Sequence, residues 1–404
     1  MKKIVRSTRG VVALALTVAL FGTTAYGAEA VSTTEAVATQ GEQGTAVLTY
    51  EEALEKAKKH SVELIDLQNS NDYLQETKED LWDVVGSFSI PTYDYQKWVN
   101  DAVYSYTSGI YNTDSGMTSN KYREQITNLA LEATLKSTFA TIVENEETLD
   151  VTKEAMAIKK TIYEQGQTKY DLGMLSKYKL DQLKADYETS KVDVYQMEKS
   201  LDQLYTNLNN LIGESADKKY VVQYDVEFEP YVLQGTIETY INAAMNSDYS
   251  ILLKKQAVED AKFNRNYVSE STENATNKKN KLSYETAQRE LKSAKEDKDI
   301  DIRNAYVQLK QSEANYNQAK ADLEQAQADL KTAEVNYSVG NTTKLTFQQA
   351  QLRVTQKELA LKKLARAYDM QVFTFKNTSL INGGSSSSGS SSKGSAASGA
   401  GEEG

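Results

Sequence analysis

His60 is the only histidine in the chain, and there is no cysteine. A Ser-His-Asp relay, a thiolate nucleophile, a disulfide and a His- or Cys-based metal centre therefore lack their parts. His60 ends the charged stretch EEALEKAKKH and reads as a surface residue. Acidic pairs such as Glu146–Glu147 fall in long helical patterns and read as solvated charge, not as paired acid and base. No glycine loop has phosphate-cradling spacing. The sequence thus offers no catalytic residue, no metal-ligand set and no cofactor site, and an enzyme is not expected. The net charge of −11 would repel phosphates and argues against a nucleic-acid partner.

What the chain repeats is a break. YDLGMLSKYKLDQL runs from Tyr170, and YSVGNTTKLTFQQA from Tyr337, 167 residues later. Both read Tyr, two residues, Gly, two residues, Ser or Thr, then a helical pattern. Glycine takes positive φ readily. The following Ser176 or Thr343 can cap a new helix. Each break is therefore expected to be the tip of a helical hairpin, built on Tyr170, Gly173, Ser176 and Leu180, and on Tyr337, Gly340, Thr343 and Phe347.

The flanks supply the helices. Before Gly340, large residues recur every seven positions from Ile302 through Leu309, Tyr316, Leu323 and Leu330 to Tyr337. Shifting by 167 gives Leu135, Ile142, Leu149, Met156, Tyr163 and Tyr170, all apolar or aromatic. A seam sustained this long is a coiled-coil signature. From Tyr284 to Tyr337 the helix would be roughly 80 Å long. The only prolines, Pro91 and Pro230, stand clear of these spans. Before each hairpin, TYEEALEKAKKHSVELI (from Thr49) is similar to TIETYINAAMNSDYSIL (from Thr236) at an offset of 187, so the first half holds about twenty extra residues, within Gly86–Asn120.

A second stripe lies opposite the second seam: Val307, Ala314, Ala321, Ala328 and Val335, then Leu345, Leu352 and Leu359 past the tip. A solvated coiled coil places charge there. Apolar residues on both sides imply helical neighbours on both sides, as in a wall of helices closed into a tube. In the first half Ala140, Ala185 and Val192 fit this stripe, while Glu147 and Glu154 do not.

Residues 1–27 read as a secretory signal peptide, with basic Lys2, Lys3, Arg6 and Arg9, the apolar run VVALALTVALF and small residues after it. Residues 28–47 read as a linker, 214–235 as the connection between halves, and the Ser/Gly-rich 378–404 as a flexible tail.

The internal duplication, the paired Y-x-x-G-x-x-[ST] tips, the heptads after them and the LNNLIG that closes the first hairpin together resemble the TolC family of outer-membrane efflux proteins. The resemblance spans roughly Thr49–Asn377, taking 48–213 and 236–377 as two repeats. It implies a mainly α fold of two antiparallel coiled-coil hairpins per chain, assembling as a trimeric α-helical barrel. It also implies an exported, envelope-located duct whose tips meet a periplasmic adaptor (membrane fusion) protein of an inner-membrane or ABC-type pump. The family commonly has Asp six residues after each tip glycine; Lys179 and Thr346 stand there. The family also places a strand hairpin in each half. SFSIPTYDYQ and AVYSYTSGIY are the first-half stretches that could serve, whereas Asn264–Lys281 is a polar turn with no membrane face. A reduced or missing β-barrel is therefore expected. In that case Tyr93, Tyr95, Trp98, Tyr104 and Tyr106 would form a membrane or wall anchor. The competing function is a barrel-less coiled-coil scaffold or spacer at the cell surface.

Overall fold

A computed structural model of the chain describes residues 47–86, 95–267 and 274–381. Residues 1–46, 87–94, 268–273 and 382–404 lie outside them. Two short strands, β1 (Val47–Leu48) and β2 (Val221–Val222), pair in parallel. All other regular structure among the described residues is helical. The helices are α1 (Tyr50–His60), α2 (Val62–Gly86), α3 (Tyr95–Asp171), α4 (Lys177–Ile212), α5 (Ile237–Ser247), α6 (Tyr249–Asn266), α7 (Asn274–Ser338) and α8 (Lys344–Lys376). A 3-10 turn, Thr378–Leu380, follows.

The order α1–α4 recurs as α5–α8, with matching boundaries. Thr49 and Thr236 cap α1 and α5 by accepting from the Glu52 and Thr239 amides. Ser61 and Asp248 then break each short helix from the next at extended backbone. At 1.5 Å per residue the 77-residue α3 is about 115 Å long and the 65-residue α7 about 98 Å.

Two apolar clusters anchor the long helices where the short ones pack on them. In the first, Ala53 and Ala57 of α1 meet Leu135, Phe139, Ile142, Leu208 and Ile212. In the second, Ile241 and Ala244 of α5 meet Ile302, Leu309, Tyr368 and Phe375. The seam residues Leu135, Ile142, Ile302 and Leu309 have no solvent exposure, while Tyr170 and Tyr337 at the tips are more than a third exposed. Each seam is thus deepest beside the short helices, and its last large residue before each tip glycine reaches solvent.

The helices neighbour one another in rows. On the tip side the order is α4–α3–α8–α7, and on the other side α2–α3–α6–α7. Tyrosines suit these half-wet contacts, because each packs its ring and still reaches a polar partner. Tyr205 donates to Glu146 at 2.7 Å and to the Tyr220 carbonyl at 2.8 Å. Tyr368 donates to Glu313 at 2.7 Å, and Tyr240 to the Phe375 carbonyl.

Three places differ from what their residues alone suggest. AVYSYTSGIY is helix, not strand: it lies within α3. Its apparent alternation is overridden by packing on α2, where Gly109 and Gly116 face Leu81 and Leu74 so closely that a Cβ would lie 2.9 Å from a leucine methyl. SFSIPTYDYQ lies outside the described residues except for Tyr95 and Gln96, which begin α3.

Secondly, Glu146 and Glu147 are not free solvated charge. Glu146 accepts from Tyr205, and Glu147 accepts from Arg366 Nη1 at 2.6 Å and Lys362 at 2.8 Å. Glu147 misses the apolar stripe because that face of α3 meets α8 of the other half through ions. Thirdly, the chain is still packed at the start of the presumed tail. Lys298, itself buried, donates to the Thr378 and Ile381 carbonyls at 3.0 and 2.7 Å and pairs with buried Asp248 at 3.4 Å.

Candidate functional site: the hairpin tips

Both tips are closed by the same hydrogen-bond pair. At the first, the Gly173 amide donates to the Tyr170 carbonyl (2.9 Å) and the Met174 amide to the Lys169 carbonyl (2.7 Å). At the second, Gly340 donates to Tyr337 (3.1 Å) and Asn341 to Asn336 (2.7 Å). This is the Schellman pattern, which satisfies the last carbonyls of a helix and needs a left-handed residue. Gly173 and Gly340 supply it at φ 72° and 79°. A Cβ at either would meet nothing within 4 Å, so backbone conformation and not crowding requires glycine there.

The next helix starts three residues on. Ser176 Oγ accepts from the Lys179 amide, and Thr343 Oγ1 from the Thr346 amide, each at 3.2 Å. The two positions where the family commonly has Asp are therefore the third residues of capped helices. The Thr346 hydroxyl also lies 3.0 Å from that of Thr343.

The eight tip residues read from sequence are gathered at two turns but face differently. Leu180 is 4% exposed and belongs to the seam. Its counterpart Phe347 is half-buried and stacks on Tyr337 with centroids 5.5 Å apart. Lys177 lies over the Tyr170 ring at 5.9 Å. The apolar groups that reach solvent are ones the sequence reading missed: Leu172, Met174, Tyr178 and Val339, all more than 60% exposed. In a Schellman turn the residue after the glycine usually packs back on the helix. Here the helix offers Lys169, and Met174 stays in solvent. That pairing of exposed apolar and cationic side chains was a legible signal.

At the other end, Tyr104 stacks on Tyr267 and Tyr111 on Phe263, and the Tyr111 hydroxyl donates to Asp260 at 3.1 Å. Burial, then Asp260, pushes the Tyr111 phenol up to about 12. Part of this aromatic cluster therefore packs between α3 and α6. Tyr93 and the side chains of Tyr95 and Trp98 lie outside the described residues. His60 is exposed, as its sequence context suggests. Among the described residues no group of acidic or histidine side chains is arranged to hold a metal, and no helix is long and apolar enough to cross a membrane.

No protein-family model and no curated protein matches the sequence. Solved structures do match the fold. The outer membrane protein VceC from Vibrio cholerae is 14% identical, with 82% of this chain and 96% of VceC aligned at a TM-score of 0.55. CusC, a transmembrane channel, is 11% identical, with 86% and 96% aligned at 0.56. The CmeC outer membrane channel of Campylobacter jejuni is 14% identical, with 88% and 95% aligned at 0.50. The chain therefore has the fold of outer membrane channels, the fold that the resemblance to the TolC family implies.

Proposed function

We propose that this chain is one subunit of a trimeric export duct in the cell envelope, working with a periplasmic adaptor protein and an inner-membrane or ABC-type pump. The observation that carries the reading is the stripe Val307, Ala314, Ala321, Ala328 and Val335. All five residues are exposed on the free side of α7, at the edge of the helical row. Small apolar residues repeated along an exposed helix invite a closely packed neighbour. A further copy of the chain supplies one, and three copies close the wall around a passage.

In this reading the tips face the adaptor. Tyr170, Gly173, Ser176 and Leu180, with Tyr337, Gly340, Thr343 and Phe347, shape the two turns. Leu172, Met174, Tyr178 and Val339 give them apolar contact area, suited to helix-in-groove docking. The 86–120 segment is the proposed contact with a membrane or wall, through Tyr93, Tyr95, Trp98, Tyr104 and Tyr106. Photo-crosslinking from Leu172 and Val339 in the native host tests the partnership. Capture of a periplasmic adaptor at either position is expected. Loss of the chain without any export defect, together with no adaptor captured, contradicts the duct.

One observation favours the second reading, a scaffold or spacer at the cell surface. Helix occupies 102–111, where a membrane strand was considered. A spacer tolerates charged substitutions at Leu172 and Val339 without phenotype, whereas a duct does not.

A further inference from the structure

The end of the chain distal to the tips has two free edges, and their chemistry is complementary. There the row is α2–α3–α6–α7, so among the described residues α2 and α7 each lack a helical neighbour on one side. Helix α2 carries seven acidic residues and a single lysine, Lys78, which pairs with Asp114 of α3. Its α3-facing side is Leu74, Leu81 and Ser70, the last accepting from Asn120. By helical periodicity Asp72, Glu76 and Asp83 point the opposite way, and all three are exposed. On α7, Glu290 pairs with Lys254 of α6, and Lys278, Leu282 and Arg289 lie on the outer side, all exposed. No ion pair forms within the chain at Asp72, Glu76, Asp83, Lys278 or Arg289 among the described residues.

The side-chain ladders also fix relative heights. Lys78–Asp114 links α2 to α3, Ser115–Asp260 links α3 to α6, and Lys254–Glu290 links α6 to α7. Stepping across them, each pair of helices running antiparallel, brings Asp83 level with Lys278 and Asp72 level with Arg289. A rotation about an axis along the helices preserves height. Neighbouring copies in a ring would therefore present these opposite charges to each other.

We propose that α2 of one copy docks against the first turns of α7 of the next, with Asp83 facing Lys278, Asp72 facing Arg289, and Leu282 and Tyr73 covered between them. The occupant is a second copy of this chain. The contact is head-to-tail, so it repeats until a ring closes. The inference rests on the ring reading of the preceding subsection, and it adds which edges meet and what selects them.

Charge reversal with rescue tests it. The full chain is purified in mild detergent, and its mass is measured by light scattering as protein concentration and salt are varied. Asp72→Arg and Arg289→Asp should each weaken assembly roughly tenfold or more, because like charges then face each other. The double reversal should restore it. Because the chain has no cysteine, Asp83→Cys with Lys278→Cys should also give covalent dimers and trimers with a short bismaleimide, while either single variant should not. A trimer that ignores both reversals and yields no cross-linked species overturns the edge pairing and leaves the duct reading standing. A chain that is monomeric before any substitution overturns the duct reading itself. A bismaleimide product confined to monomers means that α2 meets its own α7, and it also overturns the proposal.

Discussion

Glu147 and Arg366 are 219 residues apart in sequence and hold the two halves together on the tip side of the short helices. Arg366 is 3% exposed, and its Nε also donates to the Tyr224 carbonyl at 3.3 Å. The Glu147 side chain is 25% exposed and shares its charge with the more exposed Lys362. Removing one partner of a buried ion pair costs about 3–5 kcal/mol, whereas an exposed pair is worth about 0–1 kcal/mol. Glu147→Ala leaves a buried guanidinium hydrogen-bonded to one carbonyl, with the Glu144 charge as its remaining counter-ion, so a loss of about 2–3 kcal/mol is expected between those limits. Arg366→Met leaves a carboxylate that still has Lys362 and water, and about 1 kcal/mol is expected. The double variant has no stranded charge and should lose no more than Glu147→Ala alone, which is a coupling of about 1–2 kcal/mol. The assay is urea unfolding followed by far-UV circular dichroism at one protein concentration, since assembly shifts apparent stability. Single losses that add to within about 0.5 kcal/mol would show that the two side chains act independently and would refute this account of the interface.

Four further outcomes follow from the packing. Gly340→Ala meets no atom and pays only for the left-handed backbone, so a loss of about 1–2 kcal/mol in hairpin stability is expected on unfolding. Gly166→Ala is different: its Cβ would lie 2.5 Å from Leu183 Cδ1, so the seam must spread, and a melting scan should report about 1–3 kcal/mol. Leu180→Asp places a charge in the seam and should lower helicity near the first tip, whereas Leu172→Asp should leave stability within about 0.5 kcal/mol and act only on partner capture. Acidification should also destabilise the fold. Burial alone would raise the Glu147 and Asp248 carboxyls, but hydrogen bonds from Arg366 and Lys362, and from Ser250 with the Lys298 charge, hold both below the usual range. Their contribution is present above the unfolded-state value and is lost as pH falls through the lower folded-state values. Half-buried Glu144, pushed upward by desolvation, runs the other way and blunts the effect. Urea midpoints from pH 6 down to pH 3 check the sign.

The hairpins were legible because their determinants are local and periodic. Gly173 and Gly340 mark left-handed turns, Ser176 and Thr343 are caps, and Ile302 and Leu309 recur at seven. The distal end was not. Tyr104, Ser105, Tyr106, Thr107 and Ser108 have modest helix propensity, and their helix depends on α2 lying against Gly109 and Gly116. That contact shows in sequence only as two glycines and two leucines, each pair seven apart. The Glu147–Arg366 pair was invisible for another reason: a glutamate on a long helix looks the same in sequence whether it is solvated or bound by a distant arginine. At the tips, the repeated turn marks Leu180, which faces inward, and leaves unmarked Met174 and Leu172, which reach solvent.

The central claim is that copies of this chain close into a hollow three-membered wall. It is tested most directly by the mass of the full chain in mild detergent, measured by light scattering and paired with end-on images of the same sample. The account predicts one species at three times the mass of the single subunit and a ring with a central opening. A single species at the chain mass across micromolar concentrations, with the α7 stripe open to solvent, would contradict it.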